Sequence, residues 1–356
     1  MPRTPRRILT LDRWPAIDRI AWERALLKGD LFEAGGLAGH WRPATQRLIA
    51  EAYGSYLAFL ENSQLLDSAL PPGDRVNRTA IAAYVESLRA GCRDATITFR
   101  VEGLGHALRV IAPEGDWSWL RRIANRFRAK IRPREDKILR IQSSNRLVRL
   151  GFCLMDEGDA ESAQRKISGA ARYRDGLIIA LLAARPLRLA NFASLRLDHS
   201  LVRQGGGLWI RLDGEETKTR TPIEVPLPNE LVPQIDLYLN VHRARLLGGA
   251  RDDHLWISMR GTPMQPQSIE LRVKKWTRER LGVSVNPHLF RDCLATSVAI
   301  EDPEHVRIAA VILSHRSLET MTRYYNQART LEAGRAYQAT IRKLRRQSRT
   351  AIQRKP

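Results

Sequence analysis

The segment Arg174-Asp-Gly-Leu-Ile-Ile-Ala-Leu-Leu-Ala-Ala184 constrains this chain more than any other. From Leu177 to Ala184 it is apolar on every side, so a helix here must be covered all round by other elements. The run is far too short to cross a bilayer, which takes about 20 apolar residues. It therefore predicts a buried helix, and Pro186 breaks it, since proline has no N–H to continue the ladder. Arg188-Leu-Ala-Asn-Phe-Ala-Ser-Leu195 begins another helix, with Leu189, Phe192 and Leu195 at helical spacing and Arg188 left at the entrance. A hairpin comes next. Leu208–Leu212 is the outgoing strand, Asp213-Gly-Glu-Glu216 the polar connection, and the return arm runs from Thr217 to Leu227. Ile223, Val225 and Leu227 alternate as a half-buried strand should. Lys218 opens this return arm. Gly205-Gly-Gly207 precedes a strand, whereas phosphate-cradling glycines come after one, so it reads as a turn.

Downstream stands a group of residues with chemistry in common. Pro287 presets a helix start in Pro287-His-Leu-Phe-Arg-Asp292, and a spacing of three places His288 and Arg291 on one face of its first turn. Free N–H groups and the macrodipole favour an anion there. His315 lies further on in Leu313-Ser-His-Arg-Ser317, and Tyr324 stands nine residues later. Cationic groups, two imidazoles and a phenol suit a phosphate and a nucleophile. Each residue also has a plainer reading. Arg188 alone would be a solvated helix-end arginine, Lys218 a surface lysine, and either histidine a cap or core residue. Arg185, Arg220 and Tyr325 are neighbouring rivals for three of the positions.

In order and spacing, this series resembles the catalytic domain of the tyrosine site-specific recombinases, the phage integrase family. Arg188-Leu-Ala-Asn-Phe-Ala-Ser-Leu195 matches its first box, Thr217-Lys-Thr with Val225-Pro-Leu227 its hairpin, and His288-Leu-Phe-Arg291 its second box. Leu313-Ser-His315 and Tyr324 match the third, and these alignments select Arg188 over Arg185 and Tyr324 over Tyr325. The sequence departs from the pattern at Pro186, where a glycine is usual, and at Asn191, where an acid is usual. It departs again at Ser314, in place of glycine, and at Asp292, often a second histidine. These positions bear on local backbone geometry and on the support of Arg188.

The resemblance implies a mainly α fold with a small β-sheet or hairpin: a helical core-binding N-domain and then an α+β catalytic domain. Residues 1–40 are read as an extension, 41–130 as the helical core DNA-binding domain, 135–330 as the catalytic domain and 331–356 as a basic tail. It further implies catalytic roles for Arg188, Lys218, His288, Arg291, His315 and Tyr324. The arginines would hold non-bridging phosphate oxygens, the histidines hydrogen-bond and move protons, and Lys218 protonate the leaving 5′ oxygen. Tyr324 would attack, giving a 3′-phosphotyrosine that stores bond energy, so neither metal, ATP nor other cofactor is called for. The expected partners are double-stranded DNA and three further copies of the chain on paired sites. A type IB-like topoisomerase and a catalytically silent DNA-binding relative are the alternatives. Tyr337, Ile341 and Leu344 in the tail suit docking into a neighbouring protomer or covering their own domain.

Charge agrees independently. Lys+Arg of 59 against Asp+Glu of 38 gives a formal net charge of +21, which implies a polyanionic partner. Arg121, Arg122, Arg126, Arg128, Lys130, Arg132 and Arg134 concentrate the excess where a clamp around a duplex would need it. Ahead of them, apolar stripes predict four helices: Leu48, Ala52, Tyr56 and Leu57; Ile81, Tyr84, Val85 and Leu88; Ile97, Val101, Leu104 and Leu108 behind Asp94 as N-cap; and Trp117, Leu120 and Phe127 behind Asp116. Cys92, Cys153 and Cys293 have no pairing or metal-ligand spacing, and no secretory leader is visible, so a reducing, cytoplasmic setting is expected. Asp156-Glu-Gly-Asp-Ala-Glu161 and Asp252-Asp-His254 read as solvated loops rather than metal sites.

Overall fold

The computed structural model describes residues 7–30, 32–131, 136–164, 166–217 and 220–301. The chain divides into two compact units, Met1–Glu135 and Asp136–Pro356.

In the first unit the described helices are α1 (Ala16–Leu26), α2 (Pro43–Asn62), α3 (Arg78–Arg89), α4 (Asp94–Ile111) and α5 (Ser118–Lys130). Proline at the first turn starts α2, and Asn77 caps α3 by accepting from the Ala80 N–H at 2.9 Å. The buried stripe of α2 runs through Ile49, Ala52, Tyr53, Tyr56, Leu57 and Leu60. Leu48, expected inside, is exposed, because its neighbour Ile49 takes the place in register with Ala52 and Tyr53. Ile97, Val101, Leu104 and Leu108 are all buried, but the N-cap of α4 is Arg93. Asp94 lies one residue inside, where its charge favours the dipole rather than capping it.

The extension read as unassigned supplies α1 and is bound to the bundle. Leu9, Trp14 and Trp22 join the core of α2–α5, Trp14 meeting Tyr53 edge-on at 4.9 Å. Asp18 on α1 is fully buried and takes two hydrogen bonds from Arg75 and one from the Tyr53 hydroxyl. Paired and hydrogen-bonded, these two buried charges hold each other in one geometry.

In the second unit α6 (Asp136–Leu139), α7 (Ser144–Ala163) and α8 (Ile167–Ala184) precede the short α9 (Leu189–Ala193). The long apolar segment is α8, buried continuously from Tyr173 to Ala183, and it ends two residues before Pro186 as the sequence requires. Only backbone-to-backbone packing lets α7 lie so close against it. A Cβ on Gly158 would stand 2.4 Å from the Tyr173 nitrogen, and one on Gly176 would stand 2.5 Å from the Gly151 carbonyl oxygen. The segment Asp156–Glu161 is therefore the last part of α7 and not a loop. Its acids are used: Glu157 pairs with Arg280 at 2.6 Å and Glu161 with Arg172 at 3.0 Å.

Three antiparallel strands form a meander, β1 (Leu201–Gln204), β2 (Gly207–Leu212) and β3 (Ile223–Pro226), in that order. Gly205 and Gly206 both take positive φ in the β1–β2 turn, the conformation a two-residue primed turn demands. Ile210 faces Val225 and Leu212 faces Ile223 across the β2–β3 pair. After α10 (Val232–Leu237), a π-helical stretch Tyr238–Arg243 and α11 (Ala244–Leu247) come α12 (Pro266–Leu281) and α13 (Pro287–Glu301). One core joins α7, α8, the inner face of the sheet, α12 and α13. The fold is thus mainly helical with a small antiparallel sheet, as the sequence predicts. No helix among the described residues is long and apolar enough to cross a membrane.

Candidate active site

Arg188 owes its place to the stop in α8. The chain leaves that helix at Arg185, turns through Pro186 and re-enters a helix with Arg188 at the N-cap of α9. The rival Arg185 is occupied elsewhere: its Nε donates to the Pro226 carbonyl at 3.0 Å, tying α8 to β3, and burial lowers its pKa. Arg188 instead lies half-buried on an open cavity of about 460 Å³.

The first turn of α13 forms the other wall. Asn286 accepts from the Leu289 N–H at 2.9 Å and caps the helix, with Pro287 at its first position. His288 projects exposed onto the cavity, and Arg291 lines it one turn on. Arg291 is buried, and its Nη1 donates to the Pro186 carbonyl at 2.7 Å. The proline in the position of the usual glycine therefore still serves, since that bond needs its carbonyl and not an N–H. Two guanidinium groups and an imidazole meet on one cavity at a helix N-terminus, which suits a phosphoryl group.

Supporting contacts run behind α13. Asp292, in place of a second histidine, is buried and pairs with Lys137 of α6 at 2.8 Å. Ser297 accepts from the Ser144 N–H at 2.9 Å, joining α13 to the start of α7. Cys293 is no rival nucleophile, because burial pushes its thiol up to about 12.

Of the six positions singled out in the sequence, the structure brings Arg188, His288 and Arg291 together. Lys218, His315 and Tyr324 lie outside the described residues. Glu270 of α12 also lines the cavity and was missed in the sequence, where one acid on an amphipathic helix carries no signal. Asp252, Asp253 and His254 do place their ligand atoms within 4.8 Å of one another, but His254 Nδ1 is already 2.8 Å from Asp252 Oδ1.

In the first unit, Arg121, Arg122, Arg126, Arg128 and Lys130 are all exposed on α5, whose opposite face buries Leu120, Ala124 and Phe127. Arg132 and Arg134 lie outside the described residues. Arg128 is paired with Glu102 at 2.5 Å. Arg122 and Arg126 instead border a groove of about 270 Å³ together with Arg78 of α3, and Trp119 and Ile81 contribute to its lining. Sequence reasoning passed over Arg78, which lies far from the basic run of Arg121–Arg134 in the chain.

Residues 156–331 match the phage integrase family, and this span contains all six of those positions. That stretch is similar to a phage integrase domain. Tyrosine recombinase XerD of Pseudomonas aeruginosa is 30% identical over 178 residues, 49% of this chain and 57% of that protein. Tyrosine recombinase XerC of Pseudomonas savastanoi is 27% identical over 152 residues, 43% of this chain and 48% of that one. The chain thus spans about half the length of the curated relatives it matches. The chain is similar in fold to a solved XerH site-specific recombinase bound to a palindromic difH substrate. That likeness has a TM-score of 0.53 at 15% identity and covers 90% of this chain and 95% of that one.

Proposed function

We propose that this protein is a site-specific DNA recombinase that cuts and rejoins strands through a covalent 3′-phosphotyrosyl intermediate. The observation that carries this reading is the shared cavity of Arg188, His288 and Arg291, with Arg291 fixed to the Pro186 carbonyl just ahead of Arg188. In this reading both arginines bind the non-bridging oxygens of the scissile phosphate. Planar, permanently charged forks hold the phosphoryl group and offset charge as it builds in the transition state. The Tyr324 oxygen attacks phosphorus, the Tyr–O–P bond forms and the bond to the 5′ oxygen breaks. The phenol proton passes to His288 or His315, and Lys218 protonates the departing 5′ oxygen, so charge and atoms balance. The reverse attack by a 5′ hydroxyl rejoins the strand. Bond energy is conserved, and the chemistry needs no metal or nucleotide cofactor.

The basic, exposed face of α5, with Arg122 and Arg126 beside Arg78, is proposed to grip the DNA backbone, and four protomers to act on two paired sites. Incubation with a nicked suicide duplex tests the chemistry: a covalent protein–DNA adduct is expected, and it should vanish in Tyr324→Phe. Binding with no adduct would reduce the protein to an architectural role. Synaptic complexes on a native gel would set a recombinase apart from a topoisomerase acting on one duplex.

A further inference from the structure

An acid in the wall of a phosphate cavity calls for a reason. Glu270 lines the cavity of Arg188, His288 and Arg291, yet neither arginine is its ion-pair partner. It lies 3.5 Å from Lys274, one turn on, with both side chains 38% exposed, a pair that solvent screens to little consequence. Nor does Glu270 hold α12 in place, because Ile269, Val273, Trp276 and Thr277 form the buried face.

The chemistry of duplex DNA narrows what such a carboxylate can meet. Phosphodiesters and deoxyribose carry no N–H or O–H donors. The major-groove donors are the exocyclic amines, N4 of cytosine and N6 of adenine; guanine and thymine present only acceptors there. The rest of this end of α12 has the same character. Gln267 is exposed, and Leu271 is 66% exposed, so Gln267, Glu270 and Leu271 share a face at helical spacing. An amide, a carboxylate and an apolar side chain are the groups that read adenine, cytosine and the thymine methyl. The arginine of this stretch is turned elsewhere, Arg272 Nε lying 2.6 Å from the buried Asp175. Lys274 on the same face can meet a phosphate, while Gln267, Glu270 and Leu271 are equipped to read bases.

We propose that Glu270 is a specificity-determining residue, its carboxylate accepting the N4 amine of a cytosine in the major groove beside the scissile phosphate. Guanine or thymine at that position would set an acceptor against the carboxylate, so the same residue also rejects wrong sites. The proposal rests on the strand-exchange reading of the cavity, and its test separates the two.

The full-length chain, E270Q and E270A are each used to recover duplexes from a randomised pool, and the wild-type chain is also captured covalently on the same pool to mark the cut. Wild type is expected to favour cytosine roughly ten-fold or more at one position next to the cut. E270Q should move that preference to adenine, whose N6 and N7 suit an amide, and E270A should flatten it, with the remaining positions unchanged. Circular dichroism reports on folding of both variants. Adduct formation with the same base preferences in all three proteins would overturn the role of Glu270 and leave the proposed function standing. Failure of the wild-type chain to form any adduct would overturn the proposed function itself.

Discussion

Arg291 Nη1 donates to the Pro186 carbonyl at 2.7 Å, joining positions 105 apart in the chain. The bond fixes the second arginine of the cavity against the turn that presents the first. A guanidinium makes this bond and still offers N–H groups to a phosphate, whereas an ammonium is a single point of charge. Arg291→Lys should therefore fold normally yet lower the rate of adduct formation on a suicide duplex by about 10²–10³-fold. An unchanged rate would remove Arg291 from the phosphate-binding set.

The close approach of α7 and α8 predicts a contrast between glycines. Gly176→Ala forces a methyl group against the Gly151 carbonyl and should destabilise the second unit by about 1–3 kcal/mol or more. Gly91 has nothing within 4 Å of where its Cβ would stand, so Gly91→Ala should be neutral or slightly stabilising. Urea denaturation midpoints of the two variants check this.

Burial pushes the phenols of Tyr84 and Tyr238 up to about 12, against about 10 in an unfolded chain. With folded values above unfolded ones, the folded state binds more protons in that window. Their contribution to stability should be whole below pH about 10 and disappear as the pH climbs through about 12. Phenolate absorbance tracked alongside ellipticity on alkaline titration should show the late ionisation and unfolding together.

If α5 lies against the DNA backbone, each arginine removed from it lowers the number of neutralised phosphates. Arg122→Ala and Arg126→Ala should each weaken binding to all sequences alike and flatten the log–log salt slope by about 1. Titrations at several salt concentrations measure this, and an unaltered slope would place the DNA on another face.

Much of this fold is written in short-range pattern. The apolar run of α8 and its stop at Pro186 leave little choice but a buried helix and a sharp exit, and that exit is what carries Arg188. The first-turn spacing of His288 and Arg291 is equally local. The misreadings have physical causes. Leu48 and Ile49 are adjacent and alike in hydrophobicity, so only the packed register chooses between them. Asp156–Glu161 has a loop-like composition, but Arg172 from the next helix and Arg280 from the distant α12 offset its charge, and Gly158 opens a seat for α8. β1 escaped notice because a four-residue strand is too short for its alternation to show. Glu270 becomes visible only when tertiary structure brings α12 to the rim of the cavity.

The buried bond between Asp18 and Arg75 makes α1 structurally inseparable from the helical bundle it leans on. A trimmed version beginning after residue 40 would not be a smaller working protein. It would strand a guanidinium in an oily interior with its counter-ion cut away, and the bundle would have to admit water or come apart to release it.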